Sequence, residues 1–119
     1  MTLLKDINEY KGNVEKRIEE YEGTSYPDTN RALLECNSLL TSVEVMVKHF
    51  ELRLKREKIL LKNSEEYQVF KTLKAKDEQA FMDTYEISER ILDLKAIRNK
   101  LRYKREYYEF QLQELKEDD

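Results

Sequence analysis

The sequence predicts an all-α protein: a long antiparallel helical hairpin of the coiled-coil kind, preceded by an amphipathic N-terminal helix. Two observations carry this prediction. The 119 residues include two glycines and one proline, and none of either follows Asp28, whereas a sheet protein needs turn residues about every ten positions. Beyond Asp28 the apolar residues recur in alternating steps of three and four, which is the spacing of a heptad repeat.

Composition favours a soluble helical protein of the cytoplasm. Charged residues make up 39% of the chain and hydrophobic residues 39%, and their regular spacing indicates long, solvent-rich helices rather than disorder. The single cysteine, Cys36, cannot form a disulfide within the chain. The sequence shows no signal peptide and no apolar run near the ~20 residues that a membrane span needs. We therefore predict a reduced, cytoplasmic protein without membrane contact.

The N-terminal helix is predicted within residues 1–23 and is followed by a linker over 24–28. Its apolar residues recur at helical spacing: Leu3, Leu4, Ile7, Tyr10, Val14, Ile18 and Tyr21. Gly23 is a natural C-terminal stop, and Pro27 or Asp28 stands where a new helix can start. Residues 29–119 form the hairpin, and the whole chain, 1–119, is expected to be a single helical domain.

The first long helix of the hairpin is predicted over about 29–62. Its seam, the line of residues that faces the other arm, is apolar at every position but Glu57. The seam consists of Leu33, Cys36, Leu40, Val43, Val47, Phe50, Leu54, Glu57 and Leu61. The turn is predicted at "KNSEEY", where Asn63 as N-cap and Glu66 three residues later match a capping box.

A medium helix is predicted over about 64–82 and the last helix over about 85–116. The medium helix carries Tyr67, Phe70, Leu73 and Phe81. "DTYE" (83–86) repeats the Asp-x-x-Glu spacing of a helix start, so whether 64–117 is one helix or breaks near Asp83 stays open. The seam of the last helix consists of Ile87, Ile91, Leu94, Arg98, Leu101, Arg105, Tyr108, Leu112 and Leu115.

The two seams match in an antiparallel register. Pairing positions whose numbers sum to 148 sets Leu33, Leu40, Val47, Leu54 and Leu61 against Leu115, Tyr108, Leu101, Leu94 and Ile87. Heptads match in more than one register, so this pairing supports a hairpin without fixing its alignment. Arg98 and Arg105 can lay their stems on the seam while their guanidinium groups reach water.

Each long helix also carries a second apolar line on the side opposite its seam. The first long helix has Leu34, Val45, Leu52 and Ile59, and the last helix has Leu92, Ala96, Tyr103 and Phe110 with Tyr107 nearby. A helix that is apolar on two sides needs two partners. The N-terminal helix or the 64–82 segment can cover part of this surface, and copies of the chain can cover the rest, so a homo-oligomer is expected.

Cations are concentrated in the middle of the predicted hairpin. Residues 48–76 carry a net charge of +5 and residues 95–105 a net charge of +6. The candidate nucleic-acid contacts are Arg53, Lys55, Arg56, Lys58, Lys62, Lys95, Arg98, Lys100, Arg102, Lys104 and Arg105. Binding of nucleic-acid phosphates to such a band is favourable because it releases counterions. Tyr103 and Tyr107 offer ring faces for base stacking. Two other interpretations stay open: the charges are solvated helix flanks, or they pair between subunits.

Residues of the kinds that form catalytic, metal and nucleotide sites are missing or isolated. His49 is the single histidine and has no cysteine or aspartate three or four residues away, which argues against a metal site. Cys36 lies on the seam, where it is expected to be a small core residue rather than a nucleophile. There is no glycine-rich phosphate loop. We predict a protein that is not an enzyme and uses no metal, cofactor or small-molecule substrate.

Four segments together resemble the recombination mediators of T4-type phages (UvsY-like). They are the helix start Asp28–Thr29, "HFELRLKREKILLKNSEEY", "FKTLKAKDEQAFMDTYEISERIL" and "YKREYYEFQLQEL". The resemblance covers most of residues 28–115 and rests on spacing and residue class. It implies a small helical oligomer that binds single-stranded DNA, displaces the single-strand-binding protein and helps load a recombinase. It also implies DNA contacts at Lys55, Arg56 and Lys58 of the first arm and at Lys100, Lys104 and Arg105 of the last.

Two hypotheses for function follow from the sequence. The first is an accessory protein that binds single-stranded DNA through the basic band, with a recombination mediator as its most specific form. The second is a helical protein-interaction module, a scaffold or an inhibitor, that docks one of its faces onto a partner protein and binds no nucleic acid. The doubled apolar lines and the alternating charge blocks support the second hypothesis.

Overall fold

The all-α hairpin is confirmed by the computed structural model, which describes residues 2–22 and 29–117. In chain order these form α1 (Thr2–Glu22), α2 (Thr29–Lys62), a short 3₁₀ helix (Glu65–Val69), α3 (Leu73–Asp83) and α4 (Tyr85–Glu117). The fold is an elongated body of 70 × 23 × 16 Å. The predicted linker 24–28 and the predicted stop at Gly23 lie outside the described residues.

The helices α2 and α4 pack against each other as the two arms of the hairpin. The core holds residues of α2 at 0–9% exposure and residues of α4 at 0–4%: Cys36, Leu39, Leu40, Val43, Val47, Phe50 and Leu54, with Ile87, Ile91, Leu94 and Leu101. Leu33, Leu61, Tyr108 and Leu112 are half-buried. The side chain of Leu115 lies outside the described part, and so does its predicted contact with Leu33.

The register of the arms differs from the predicted one. The Cys36 thiol donates a hydrogen bond to the carbonyl oxygen of Leu101 at 3.2 Å. A sum of 148 would place Cys36 opposite Leu112, about 16 Å further along α4. Lowering the sum by one heptad, to about 141, sets Leu40 beside Leu101 and brings Cys36 within about one turn of it. The predicted alignment is therefore wrong by about one heptad, because both registers satisfy the same apolar pattern.

Helix α1 lies along the hairpin and makes a third layer. Leu3, Ile7 and Val14 are buried at 0–3% exposure in the same core. Polar contacts fix α1 at its sides: Tyr10 and Ser42 share a hydrogen bond of 2.5 Å, Arg53 Nη1 lies 2.8 Å from Asp6 Oδ2, and Lys11 Nζ lies 3.3 Å from Asp93 Oδ2. Because α1 contacts both arms, the bundle has three helices over this length.

The connection between the arms is not the predicted helix over 64–82. The chain turns at Asn63 and Ser64, forms the 3₁₀ helix, and is extended at Phe70 before α3 begins. Ser64, not Asn63, is the N-cap of the 3₁₀ helix, and it makes no side-chain capping bond. The cap that forms is Thr72, whose Oγ1 accepts a hydrogen bond from the Ala75 amide at 3.1 Å at the start of α3.

The sequence left open whether residues 64–117 form one helix, and the structure shows that the helix is interrupted beside Asp83. Helix α3 ends at Asp83, and α4 begins at Tyr85. Thr84 between them is fully buried and donates its hydroxyl to the carbonyl oxygen of Ala80 at 2.7 Å. The Tyr67 hydroxyl donates a hydrogen bond to Asp83. Burial of Tyr67 first, and then this bond, raises its pKa to about 12.

Candidate interaction surfaces

The outward side of α2 is an exposed apolar line. Leu34, Val45, Leu52 and Ile59 are 57–70% exposed, and Leu60 beside them is 56% exposed. The first four are the second apolar line that the sequence predicted on this helix. Helix α1 packs on another side of α2 and leaves them uncovered, so the N-terminal helix is not the partner of this line.

The same side of α2 carries cations and no acid. All exposed residues of α2 are aliphatic, neutral and polar, or basic: Asn30, Arg31, Leu34, Ser38, Thr41, Val45, Lys48, His49, Leu52, Lys55, Arg56, Ile59 and Leu60. The four glutamates of α2 (Glu35, Glu44, Glu51 and Glu57) are all half-buried at its edges. We call the thirteen exposed residues the α2 outer face; it is an aliphatic line with cationic flanks.

The outward side of α4 is a second exposed line, and it is mostly aromatic. Tyr85, Leu92, Tyr103, Tyr107 and Phe110 are 51–73% exposed, and Ala96 among them is exposed as well. We call these six residues the α4 outer face. Gln111 donates a hydrogen bond to the Tyr107 hydroxyl at 2.8 Å, one turn along the same helix. Exposed apolar residues of this kind on two helices make both faces candidate interaction surfaces.

The structure divides the predicted basic band among several sides of the bundle. Four of its cations lie in ion pairs within the chain: Arg53 with Asp6, Lys62 with Asp77, Lys95 with Glu51, and Arg102 with Glu44, at 2.7–3.3 Å. Arg56 lies on the α2 outer face. Lys55 and Lys58 line the groove between α2 and α4, beside Lys95. The eleven candidates therefore do not form one continuous free surface.

Two further candidates, Lys100 and Lys104, face the groove between α1 and α4. This open groove has a volume of about 880 Å³, and its apolar lining comprises Ile18, Ile97, Leu101, Tyr103 and Tyr107. Glu15 and Glu19 of α1 line it together with the two lysines. Lys100 and Lys104 are thus set on the opposite flank of α4 from Lys95 and Arg102, next to acids of the same chain.

The two arginines of the predicted seam are half-buried. Arg98 and Arg105 both have intermediate exposure. The Nε atom of Arg98 is enclosed and has no hydrogen-bond partner among the described residues. An enclosed donor without a partner costs free energy, so part of the Arg98 side chain is committed to the hairpin interior and does not present its whole guanidinium to a ligand.

Metal-binding side chains do not cluster in the described part of the structure. Among residues 2–22 and 29–117, no group of three His, Cys, Asp or Glu side chains could hold a metal ion. His49 is exposed, and its ring centroid lies 5.8 Å from that of Phe50. No described helix is long and apolar enough to cross a membrane.

Asp93 connects α4 to α1. Arg90 of α4 and Lys11 of α1 both donate hydrogen bonds to its carboxylate and lower its pKa.

Comparisons with protein-family models, with curated proteins and with solved structures gave no significant match. The resemblance to phage recombination mediators therefore remains a prediction. The sequence analysis missed the absence of acids from the α2 outer face, and with it Arg31 as a member of a cationic surface. A helical projection of α2 contains this signal, because its four glutamates fall within the half that faces α4 and α1.

Proposed function

We propose that the chain is a non-enzymatic interaction module that docks an amphipathic helix of a partner protein onto the α2 outer face. One observation carries the proposal: an exposed aliphatic line is flanked by Lys48, Lys55 and Arg56, and the whole face lacks acids. The apolar line supplies the driving force for binding, and the cations select the partner. The partner expected is a helix with apolar residues at heptad spacing and glutamate or aspartate on both flanks.

The charge of the α2 outer face disfavours pairing with its own copy. Two such faces would oppose cations to cations, since the glutamates of α2 lie at its edges and two of them, Glu44 and Glu51, already pair with Arg102 and Lys95 of α4. A different protein with acidic flanks gains both the apolar contact and the ion pairs. This is the role of a scaffold or an inhibitor that recognises one helix of its target.

We expect the chain to bind a synthetic helical peptide with leucines at heptad spacing and glutamate flanks about tenfold more tightly than the same peptide with lysine flanks. Roughly three flank pairs at about 0.5 kcal/mol each give about 1.5 kcal/mol, which corresponds to that factor. The triple variant Lys48→Glu, Lys55→Glu, Arg56→Glu should reverse the preference. Fluorescence anisotropy of labelled peptides measures both affinities.

The control is the same charge reversal on α1, at the exposed residues Lys5, Lys16 and Arg17. That variant has the same net charge as the first but keeps the α2 outer face, so its preference for the acidic peptide should persist. A docking site on α2 would be contradicted if the wild type bound both peptides with equal affinity. It would also be contradicted if the two triple variants showed the same preference between the peptides.

A second candidate function is binding of single-stranded DNA, in the manner of a recombination mediator that works with a single-strand-binding protein and a recombinase. The observation that favours it is the same acid-free face, because phosphates are bound best by cations that have no acid beside them on the same surface. Surface ion pairs such as Lys95–Glu51 contribute little and can exchange for a phosphate. Tyr103 and Tyr107 are exposed enough to stack on bases.

If this candidate is right, affinity for a labelled single-stranded oligonucleotide should fall steeply with salt. Three phosphate contacts predict a loss of roughly 20-fold between about 50 and about 200 mM salt. The α2 triple variant should lose this binding, while the α1 triple variant retains it. Affinity that is absent at low salt or independent of salt would leave the protein partner as the remaining function of the face.

A further inference from the structure

The α4 outer face differs from the α2 outer face in the charges that accompany it. Tyr103, Tyr107 and Phe110 are 73%, 55% and 60% exposed and occupy two turns of one helix. Residues 95–105 of α4 carry six cations and no acid, and three of these cations, Lys100, Arg102 and Lys104, are exposed. Residues 106–117 carry four glutamates and one lysine. The charge changes sign between Arg105 and Glu106, in the middle of the exposed aromatic line.

We infer that a second copy of this chain docks antiparallel on the α4 outer face, with the two-fold axis close to residues 106 and 107. This orientation lays the basic segment 95–105 of each copy beside the acidic segment 106–117 of the other. A parallel, in-register pair would oppose like charges along the whole helix. The surface is separate from the α2 outer face, so either assignment can fail without the other.

The antiparallel arrangement also matches individual residues. An axis between Glu106 and Tyr107 sets Tyr103 opposite Phe110 of the second copy. The two-fold symmetry repeats this pair, so the dimer contains two Tyr103–Phe110 contacts. On one flank Lys100 comes near Glu114, and on the other Arg102 comes near Glu109. Within its own chain Arg102 holds Glu44 at 3.3 Å, longer than a strong charge-assisted bond, so it can share its guanidinium with a second acid.

A second copy is favoured over an unrelated protein because its complementary pattern is present in the sequence itself. A symmetric interface repeats each contact, so one favourable pair counts twice. Among residues 2–20 of α1, Ile18 lines the groove on one flank of α4 together with Tyr103 and Tyr107. The α4 outer face remains exposed in the single chain.

Cysteine cross-linking of the full chain tests both the contact and its direction. With Tyr107→Cys, the two introduced thiols lie beside the axis, and a short bismaleimide should link most of the protein as a dimer. With Leu92→Cys, the thiols of an antiparallel pair lie about 40 Å apart and should not link. The native Cys36 is fully buried, so the unaltered chain serves as the blank.

A charge exchange separates the interface from any effect on folding. Lys100→Glu and Glu114→Lys should each weaken self-association about fivefold or more in sedimentation equilibrium, because each introduces two like-charge pairs. The double variant should recover the original association within about twofold. Cross-linking of both cysteine variants, cross-linking of neither, or failure of the double variant to recover would each overturn the inference.

Discussion

Replacing Phe50 by alanine is expected to lower the free energy of unfolding by about 3–5 kcal/mol. Phe50 lies on α2 with 1% exposure, and its ring stands 6.0 Å from that of Tyr10 on α1. The side chain therefore fills the space where α1 meets the hairpin. Truncation removes its burial and leaves a cavity that three long helices cannot close without shifting together.

The matched control is Leu52→Ala on the same helix. Leu52 is 65% exposed, so its truncation should change the free energy of unfolding by less than about 0.5 kcal/mol. Urea unfolding followed by circular dichroism measures both variants. If the loss for Phe50→Ala stays below about 1 kcal/mol, or equals that for Leu52→Ala, then Phe50 is not packed between α1 and the hairpin.

The second large effect is expected at alkaline pH and arises at Tyr67. Its hydroxyl, in a side chain 3% exposed, donates to Asp83, and its pKa is raised from 10.0 to about 12. The neutral phenol is thus favoured by folding, and its contribution is complete below pH 10 and is lost as pH rises to about 12. A shift of this size corresponds to roughly 3 kcal/mol.

Comparison of the wild type with Tyr67→Phe isolates this group. Near pH 7 the variant should be less stable by about 1 kcal/mol, since it lacks one hydrogen bond. Between about pH 10 and pH 12 the wild type should lose roughly 3 kcal/mol relative to the variant, so their order reverses. Tyr85→Phe, at a 51% exposed position, is the control and should follow the wild type. Parallel pH profiles of Tyr67→Phe and the wild type would rule out this coupling.

The helices and their buried sides were predictable because each depends on local spacing. Each helix has apolar residues at a spacing that places them on one side of a helix. Examples are Ile7 and Val14 in α1, Leu40 in α2 and Leu94 in α4, and all four are buried. The predicted second lines through Leu52 and Tyr103 likewise correspond to the outer faces. These features need no knowledge of which helices meet.

The register and the turn could not be predicted by the same reasoning. A heptad pattern is unchanged by a shift of one repeat, so Cys36 satisfies it equally beside Leu101 or further along α4. At the turn, the Asn63–Glu66 spacing is as good a helix start in sequence as the one that forms at Thr72. The choice depends on burying Tyr67 and Thr84, which the Asx-x-x-Glu spacing does not contain.

The predicted basic band shows the same limit. Arg102 and Glu44 are separated by 58 residues, and their ion pair exists only because the arms align as they do. Sequence can give the number of cations on a helix, but neutralisation by acids of another helix follows from the register. On the α2 outer face this difficulty is smaller, since Lys48 and Arg56 are exposed, although Lys55 also lines the groove toward α4.

The reactivity of the Cys36 thiol can report how often the hairpin opens. The sulfur is fully buried and donates a hydrogen bond to the opposite arm, so a thiol reagent in solution can reach it only after α2 and α4 separate. The rate of labelling then follows how often the arms open, which is a kinetic property that equilibrium unfolding does not report. A ligand that clamps the arms would slow the labelling without touching the sulfur.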